Sequence, residues 1–266
     1  LLRQSGTFRA NQQVTERAMD SNDLERERGI TILAKCTSIE WKDIRINIVD
    51  TPGHADFGGE VERILSMVDG VLVLVDAAEG VLPQTKFVTG KALRLGLRPI
   101  VVINKLDRAD ARPDEVLNEI FDLFVALDAT EEQLDFPVLY AAGRSGWADE
   151  EREGPRKDMG PLFDMVVRHV PAPTVDPDQP FRMLVTTLES DPFLGRVLTG
   201  RILSGHVTAN DSVKALSRDG AEIEQTRITK LLVFRGLDRV GLDRAEAGDI
   251  VAVCGFKTAT VADTLC

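Results

Sequence analysis

Hydrophobic positions change period several times along the first 170 residues, alternating between the spacing of strands and that of helices. Two short β-rich runs, 36–41 and 44–49, are joined by Lys42-Asp43, which predicts a hairpin. Apolar residues then recur at helical spacing over 57–68. A continuous apolar run over 70–75 follows, as expected of a strand buried on both faces.

The alternation of helix and strand continues to residue 170. The pattern predicts helices over 83–95, 113–127 and 160–170, and strands over 98–103 and 137–140. Alternating strands and helices indicate an α/β fold with a parallel, doubly wound sheet. In such folds ligands bind beyond the carboxyl ends of the strands, so residues at those ends are the candidate functional groups.

A proline-rich segment, residues 171–180, divides the chain. It contains four prolines and two acidic residues without apolar periodicity, which is typical of a stiff linker. Beyond it the pattern is all strand, with glycine punctuation that suggests a small β-barrel. The predicted strands cover 181–188, 196–203, 212–216, 224–232 and 250–254. The domains expected are therefore 1–170, a linker over 171–180, and a barrel over 181–266.

Length, charge and hydropathy narrow the class of protein. The 266 residues can form two domains, and no apolar run is long enough to span a bilayer, so we expect a cytoplasmic protein with no membrane partner. The net charge of −11 lies entirely in the first 180 residues, which argues against diffuse nucleic-acid binding. Three scattered cysteines predict reduced, buried thiols rather than a disulfide framework.

The run Asp50-Thr51-Pro52-Gly53-His54 closes a predicted strand and suits a metal-bound phosphate. Asp50 can hold Mg²⁺ through water, and the Gly53 N–H can approach a γ-phosphate because glycine has no Cβ. His54 is placed where it could orient the water that attacks this phosphate. An ordinary strand-to-turn connection is the alternative. By contrast, His169 and His206 lack such neighbours and are predicted to be solvated.

Thr31 lies in the run Arg28-Gly29-Ile30-Thr31-Ile32, just before the predicted hairpin. Its hydroxyl can ligate Mg²⁺ and its backbone can meet the γ-phosphate, as in segments that GTP orders and hydrolysis releases. The alternative is a solvated, charge-rich surface. Thr31 and Asp50 are thus the predicted metal ligands.

Asn104-Lys105-Leu106-Asp107 closes another predicted strand and suits guanine. The Asp107 carboxylate can accept hydrogen bonds from guanine N1–H and the 2-amino group, whereas adenine presents an acceptor there. Lys105 would pack its stem over the base, and Asn104 would brace the loop. At the end of the next strand, the Ala142 N–H could meet guanine O6.

No G-x-x-x-x-G-K-[ST] phosphate loop occurs in the chain. Thr89-Gly90-Lys91-Ala92 contains Gly-Lys, but it lies inside a predicted helix and Ala92 cannot ligate Mg²⁺. Leu1 is not a start methionine, and the first residues are predicted to begin in mid-element. We therefore expect the chain to be a fragment.

These motifs, in this order and spacing, resemble the G domain of translational GTPases, and the barrel resembles their second domain. Segments 20–35, 55–63 and 127–137 are similar to the TypA/BipA family in particular. This resemblance implies a P-loop-NTPase-like G domain followed by a translation-factor-type β-barrel. It also implies a monomeric, ribosome-associated GTPase that binds GTP and GDP with Mg²⁺ and acts in ribosome assembly and stress adaptation.

The chain departs from the family pattern at the last guanine motif, where Ala141-Ala142 replaces the usual Ser-Ala pair. The resemblance also implies a first strand and a phosphate loop before Leu1 and further domains after Cys266, so that this chain is expected to be a fragment. Two alternatives stay open. The protein could be an elongation-factor-type GTPase, or this chain alone could be a non-catalytic module that docks on the ribosome or another partner.

Overall fold

The strands of this protein form two main sheets, one in each half of the chain. The computed structural model describes residues 1–2, 4–5, 27, 31–52, 58–236 and 238–266. Predicted site residues Gly53 and His54, and most of the Thr31 run, lie outside this part. In the described part no helix is long and apolar enough to cross a membrane.

An antiparallel hairpin opens the described fold. Strand β1 (Lys35–Trp41) pairs with β2 (Ile44–Asp50), so that Lys35 faces Asp50 across the ladder. Lys42 and Asp43 both have positive φ, 48° and 63°. Two consecutive positive φ values characterise the tight turns whose twist matches that of the strands they join. The predicted hairpin is confirmed.

A four-stranded sheet follows, in the order β3-β4-β5-β6. The first three strands are parallel, and the last is antiparallel. The strands are β3 (Gly70–Asp76), β4 (Arg98–Asn104), β5 (Val138–Ala142) and β6 (Trp147–Asp149). The helices are α1 (Gly58–Leu65), α2 (Pro83–Arg94), α3 (Pro113–Ala126), α4 (Glu131–Leu134) and α5 (Gly160–His169).

Both faces of this sheet carry apolar side chains, because successive side chains of a strand point to opposite faces. Val101 and Ile103 pack on one face against α3. Ile100 and Val102 pack on the other face, against α5 and Ile39 of the hairpin. Helices on both faces of a mostly parallel sheet give the doubly wound α/β architecture predicted from the sequence.

Strand β3 lies at the edge of the four-stranded sheet. In the described part it pairs with β4 alone, and β2 belongs to a separate sheet. The expectation that this strand is buried on both faces is wrong for one face, where Leu72 and Leu74 are 37% and 60% exposed.

The second half of the chain is an antiparallel barrel domain. Its eight-stranded sheet has the order β11-β10-β16-β7-β8-β15-β12-β13, and a small β14-β9 pair adds to it. Residues from both sheets share one buried cluster. The strands are β7 (Arg182–Asp191), β8 (Gly195–Ser204), β9 (His206–Thr208), β10 (Ser212–Leu216), β11 (Glu222–Arg227), β12 (Lys230–Arg235), β13 (Asp238–Gly241), β14 (Arg244–Glu246), β15 (Ile250–Cys254) and β16 (Thr264–Leu265).

The single strand predicted over 224–232 is wrong, since two strands occupy this region. β11 pairs with β10, whereas β12 pairs with β13 and β15. The break falls at Ile228, which is fully buried and whose N–H donates to the Asp211 carbonyl. Its apolar side chain continues the hydrophobic pattern across the break, so periodicity could not reveal it.

The two domains are in contact through apolar and polar groups. Ile64 and Met67, which follow the Asp50 motif, pack against Ile250 of the barrel. The hydroxyls of Thr37 and Ser38 on β1 donate to backbone carbonyls of the β12–β13 hairpin. The strand that follows Thr31 is therefore bonded directly to the barrel.

Two predictions about single side chains are wrong. His169 is half-buried, and its Nε2 is buried without a hydrogen-bond partner in the described part, so it is not solvated. Burial lowers the pKa of His169. Cys266 is exposed, although Cys254 is buried as predicted. His206 is exposed, as expected.

Candidate functional site

The carboxyl ends of three neighbouring strands bring two loops together. Asp76 and Asn104 are paired in register at the ends of β3 and β4. The Asn104 Oδ1 accepts the Gly143 N–H, 2.9 Å away, in the loop after β5. The Leu106 N–H donates to the Ala141 carbonyl at 3.0 Å. The predicted bracing role of Asn104 thus has a geometric basis.

Asp107 lies on the exposed side of this junction. Its Oδ2 accepts a hydrogen bond from the Ser145 hydroxyl at 3.0 Å, which links the two loops a second time. A carboxylate has about four acceptor positions, so this bond leaves capacity for a ligand with two donors. The arrangement suits recognition of a base edge that presents adjacent N–H groups.

Lys105 is held in an unusual backbone conformation by its loop. Its φ is 63°, in the left-handed region that non-glycine residues rarely adopt. Its Nζ lies 2.7 Å from Asp76 Oδ2, and the Asp76 side chain is only 10% exposed. This ion pair crosses from the end of β4 to the end of β3.

Asp76 accepts further bonds from its own loop. Its Oδ1 accepts the N–H groups of Ala78 and Glu79 at 2.8 and 3.2 Å, and Arg108 Nη1 lies 3.4 Å from Oδ2. Burial alone would raise the pKa of Asp76, but the bonds from Lys105 and these backbone groups lower the pKa to about 2. Asp76 is therefore charged at neutral pH.

Ala142 lies beside the junction, at the end of β5. Ala142 is 1% exposed, and its carbonyl accepts the Gly146 N–H at 2.9 Å. Gly143, the next residue, is exposed, but its N–H is bonded to Asn104. The loop at residues 142–146 is thus fixed by hydrogen bonds on both sides.

The residues predicted to bind the phosphate end of the ligand lie at the open end of the β1–β2 hairpin. The Thr31 hydroxyl donates to Asp50 Oδ2 at 3.5 Å, so the structure brings together the two predicted metal ligands. Close by in sequence, the Ala34 N–H donates to Glu60 Oε1 of α1 at 2.8 Å. This bond ties the segment after Thr31 to the helix after the Asp50 motif.

The Thr31 hydroxyl and the Asp50 carboxylate supply oxygen atoms that suit Mg²⁺. Mg²⁺ prefers oxygen ligands and is usually held by one or two protein groups together with phosphate and water oxygens. Across the described ranges, no group of three or more His, Cys, Asp or Glu side chains could hold a metal ion. A hydroxyl and a carboxylate 3.5 Å apart match this sparse protein contribution.

Ser145 and Asp76 were missed by sequence reasoning. Ser145 follows the last guanine motif by three residues, and nothing in its spacing indicates that its hydroxyl turns back to Asp107. Asp76 closes β3 and could have been found, because the ends of adjacent parallel strands lie side by side. The segment 89–92 lies inside α2, as predicted, with Thr89 and Gly90 buried.

The chain belongs to the family of elongation factor Tu GTP-binding domains, whose model matches residues 1–172. The model of elongation factor Tu domain 2 matches residues 195–266. This confirms the fold class: a translational-GTPase G domain followed by a β-barrel.

Among individual proteins, the chain is similar to BipA, which confirms the resemblance to TypA/BipA seen in the motifs. It is 55% identical over its whole length to the large ribosomal subunit assembly factor BipA of Escherichia coli K12. The corresponding identity to BipA of Bacillus subtilis 168 is 53%. The chain spans 44% and 43% of these two relatives, respectively.

A solved structure shows the same fold. A Thermus thermophilus protein of known crystal structure matches the whole chain with a TM-score of 0.72 and 22% identity. The match covers 51% of that protein.

Proposed function

We propose that this chain forms the guanine-nucleotide site and first barrel of a ribosome-associated GTPase of TypA/BipA type. The observation that carries the proposal is the junction of Asn104 with Gly143 and of Asp107 with Ser145, 2.9 and 3.0 Å long. It presents an exposed carboxylate on a braced loop at the carboxyl ends of parallel strands. Relatives 52–55% identical to the chain are named as ribosome assembly factors, which supports the ribosome as partner.

Guanine recognition rests on Asp107 in this proposal. Its carboxylate accepts the N1–H and the 2-amino group of guanine, while adenine would cover these acceptors without pairing them, at about 1–3 kcal/mol each. Asn104 holds the loop, the Lys105 stem covers the base, and the Ala142 N–H meets guanine O6. GTP and GDP are thus the ligands, and ATP is excluded.

The phosphate end uses Thr31 and Asp50 for Mg²⁺. When bound, this ion neutralises charge on the phosphates. Gly53 contacts the γ-phosphate through its N–H, and His54 orients the attacking water. The hydrogen bond between Thr31 and Asp50 supports the shared metal site.

The remaining proposals concern organisation and location. We assign residues 1–170 to the G domain, 171–180 to the linker and 181–266 to the barrel. The protein acts as a cytoplasmic monomer in ribosome assembly or stress-related translation, without a membrane partner. The BipA names of the relatives support the ribosomal role.

Titration of fluorescently labelled GDP into the 266-residue chain tests the proposed site. We expect saturable binding that unlabelled GDP displaces and ADP does not. Binding displaced equally by ADP would contradict guanine recognition. No saturable binding would favour the alternative of a non-catalytic docking module for this chain.

A further inference from the structure

We propose that Asp76 is a positioning residue for nucleotide binding, which acts by holding the Lys105 ammonium so that the lysine stem lies along the base. This inference rests on the proposed function and deepens it. Asp76 lies outside every motif that the sequence identifies, yet it contacts the guanine loop directly through the 2.7 Å ion pair. It would not touch the nucleotide itself.

The rigidity of the Asp76 loop supports this role. Asp76 and Asn104 are register partners, and the Ala77 N–H donates to the Asn104 carbonyl at 2.8 Å. The carboxylate is therefore fixed by the same strand pair that carries the base-recognition loop. Its Oδ1 is committed to the N–H groups of Ala78 and Glu79, while Oδ2 pairs with Lys105 at 2.7 Å and with the more distant Arg108 Nη1 at 3.4 Å.

Arg112, directly before α3, holds the same loop through further hydrogen bonds. Arg112 donates from its backbone N–H to the Ala77 carbonyl at 2.8 Å and from Nε to the Ala78 carbonyl at 3.0 Å. Gly80 has a φ of 73°, and a Cβ there would lie 2.1 Å from Glu119 Oε2. Arg112 is paired with Glu119, so the loop cannot shift without breaking these contacts. Asp76 consequently offers Lys105 a fixed anchor.

Lys105 benefits from such an anchor because an unpaired lysine side chain samples many rotamers. A lysine side chain carries up to about 2 kcal/mol of rotamer entropy, and that of Lys105 is 55% exposed. Among the described residues Asp76 is the one carboxylate paired with its ammonium. Prior fixation reduces the entropy lost when the stem packs on a base, which improves affinity without adding a contact to the ligand.

A double-mutant cycle on fluorescent GDP binding by the 266-residue chain tests the proposal. Asp76→Asn retains the shape and the Oδ1 acceptor but removes the charge that holds Lys105. We expect it to weaken GDP binding about tenfold, because Lys105 would then lose most of its rotamer entropy, up to about 2 kcal/mol, on binding. In a Lys105→Met background the same substitution should change affinity less than about twofold, because the group it positions is gone.

Glu132→Gln is the control, since Glu132 is an exposed carboxylate paired with Arg98 and contacts neither Lys105 nor Asp76. Its GDP affinity should equal that of the parent. An equal loss from Asp76→Asn in both Lys105 backgrounds would show a merely structural role and overturn the proposal. Unchanged GDP affinity in Asp76→Asn would also overturn it, while leaving the nucleotide site intact.

Lysine acetylation without nucleotide provides a second measurement. The Lys105 amine should react faster in Asp76→Asn than in the parent, as read by mass spectrometry, with Lys214 as internal reference because it keeps its Glu222 partner. An unchanged Lys105 rate would contradict the anchor. No GDP binding by the parent chain would overturn the proposed function and, with it, the role of Asp76.

Discussion

Arg201 of the barrel and Asp69 of the G domain form an ion pair across the domain boundary. Arg201 Nη2 lies 3.0 Å from Asp69 Oδ1, and Arg201 Nη1 donates to the Met67 carbonyl at 3.4 Å. The arginine side chain is 10% exposed, and the aspartate side chain is 31% exposed. Since Asp69 immediately precedes β3, this pair fastens the sheet of the nucleotide site to the barrel.

Arg201→Met should lower the free energy of unfolding by about 2 kcal/mol, measured by urea denaturation. Loss of one partner costs about 3–5 kcal/mol in a fully buried pair and about 0–1 at a surface, and Asp69 lies between these limits. Arg98→Met is the control, because Arg98 and Glu132 form an exposed pair within the G domain. Equal unfolding midpoints in the two variants would contradict a stabilising domain contact.

Glu224 should make the stability of the barrel depend on acid pH. Burial alone would raise its pKa, but N–H groups of Ala259, Lys257 and Thr258 donate to the carboxylate and lower the pKa to about 2. A lowered folded-state pKa adds stability above the unfolded-state pKa, and this is lost as pH falls through the folded-state value. The loss should therefore fall between about pH 4.5 and 2.

Glu224→Gln should lower the free energy of unfolding at pH 7 by about 1–2 kcal/mol, after allowance for solvent screening. The difference between parent and variant should shrink below about pH 4.5, as read from urea denaturation at several pH values. Glu222→Gln, on the same strand, removes no backbone contact and serves as control. A difference that stays independent of pH down to the folded-state pKa would exclude the proposed charge effect.

His54→Ala should separate binding from hydrolysis in the protein of full length. Nucleotide affinity should stay nearly intact, because His54 is proposed to orient water rather than to hold the ligand. Ribosome-stimulated GTP turnover should fall about 100-fold, as expected when a group that assists the attacking water is removed. His206→Ala, in the exposed part of the barrel, should retain parental turnover. Unchanged turnover in His54→Ala would remove His54 from the mechanism.

Much of the fold could be predicted from local pattern. The Lys42-Asp43 hairpin follows from its turn residues, and the strand at Ile250–Cys254 follows from a continuous apolar run; both signals act over short distances. The division at 224–232 could not be predicted, because Ile228 is apolar and continues the pattern, while β11 pairs with β10 and β12 pairs with β15. Tertiary pairing, rather than propensity, decides such a boundary.

Some residues of the candidate site could likewise be identified from the sequence, and others could not. Asn104 and Asp107 could be proposed for this site from the sequence, because recognition of guanine would use their chemistry in one short loop. Ser145 could not, since its hydroxyl reaches Asp107 only after the loop following β5 is folded. Asp76 could have been found, because it closes the strand that lies beside the one ending at Asn104.

Asp107→Asn should exchange the base preference of the site. Guanine presents a 2-amino donor that needs the Asp107 carboxylate, whereas xanthine presents a carbonyl that can accept from an asparagine amide. GDP affinity should fall at least about tenfold, and the affinity for xanthosine diphosphate should rise. Asp110→Asn, three residues further on, should retain the parental preference because its carboxylate is paired with Arg108.

The most direct test of the central claim is the ratio of GDP to xanthosine diphosphate affinity, measured by competition against fluorescent nucleotide on parent and Asp107→Asn chains. We predict that the parent favours GDP and that the variant favours xanthosine diphosphate. An unaltered preference for GDP in Asp107→Asn would contradict the assignment of the Asn104–Asp107 loop as the guanine site.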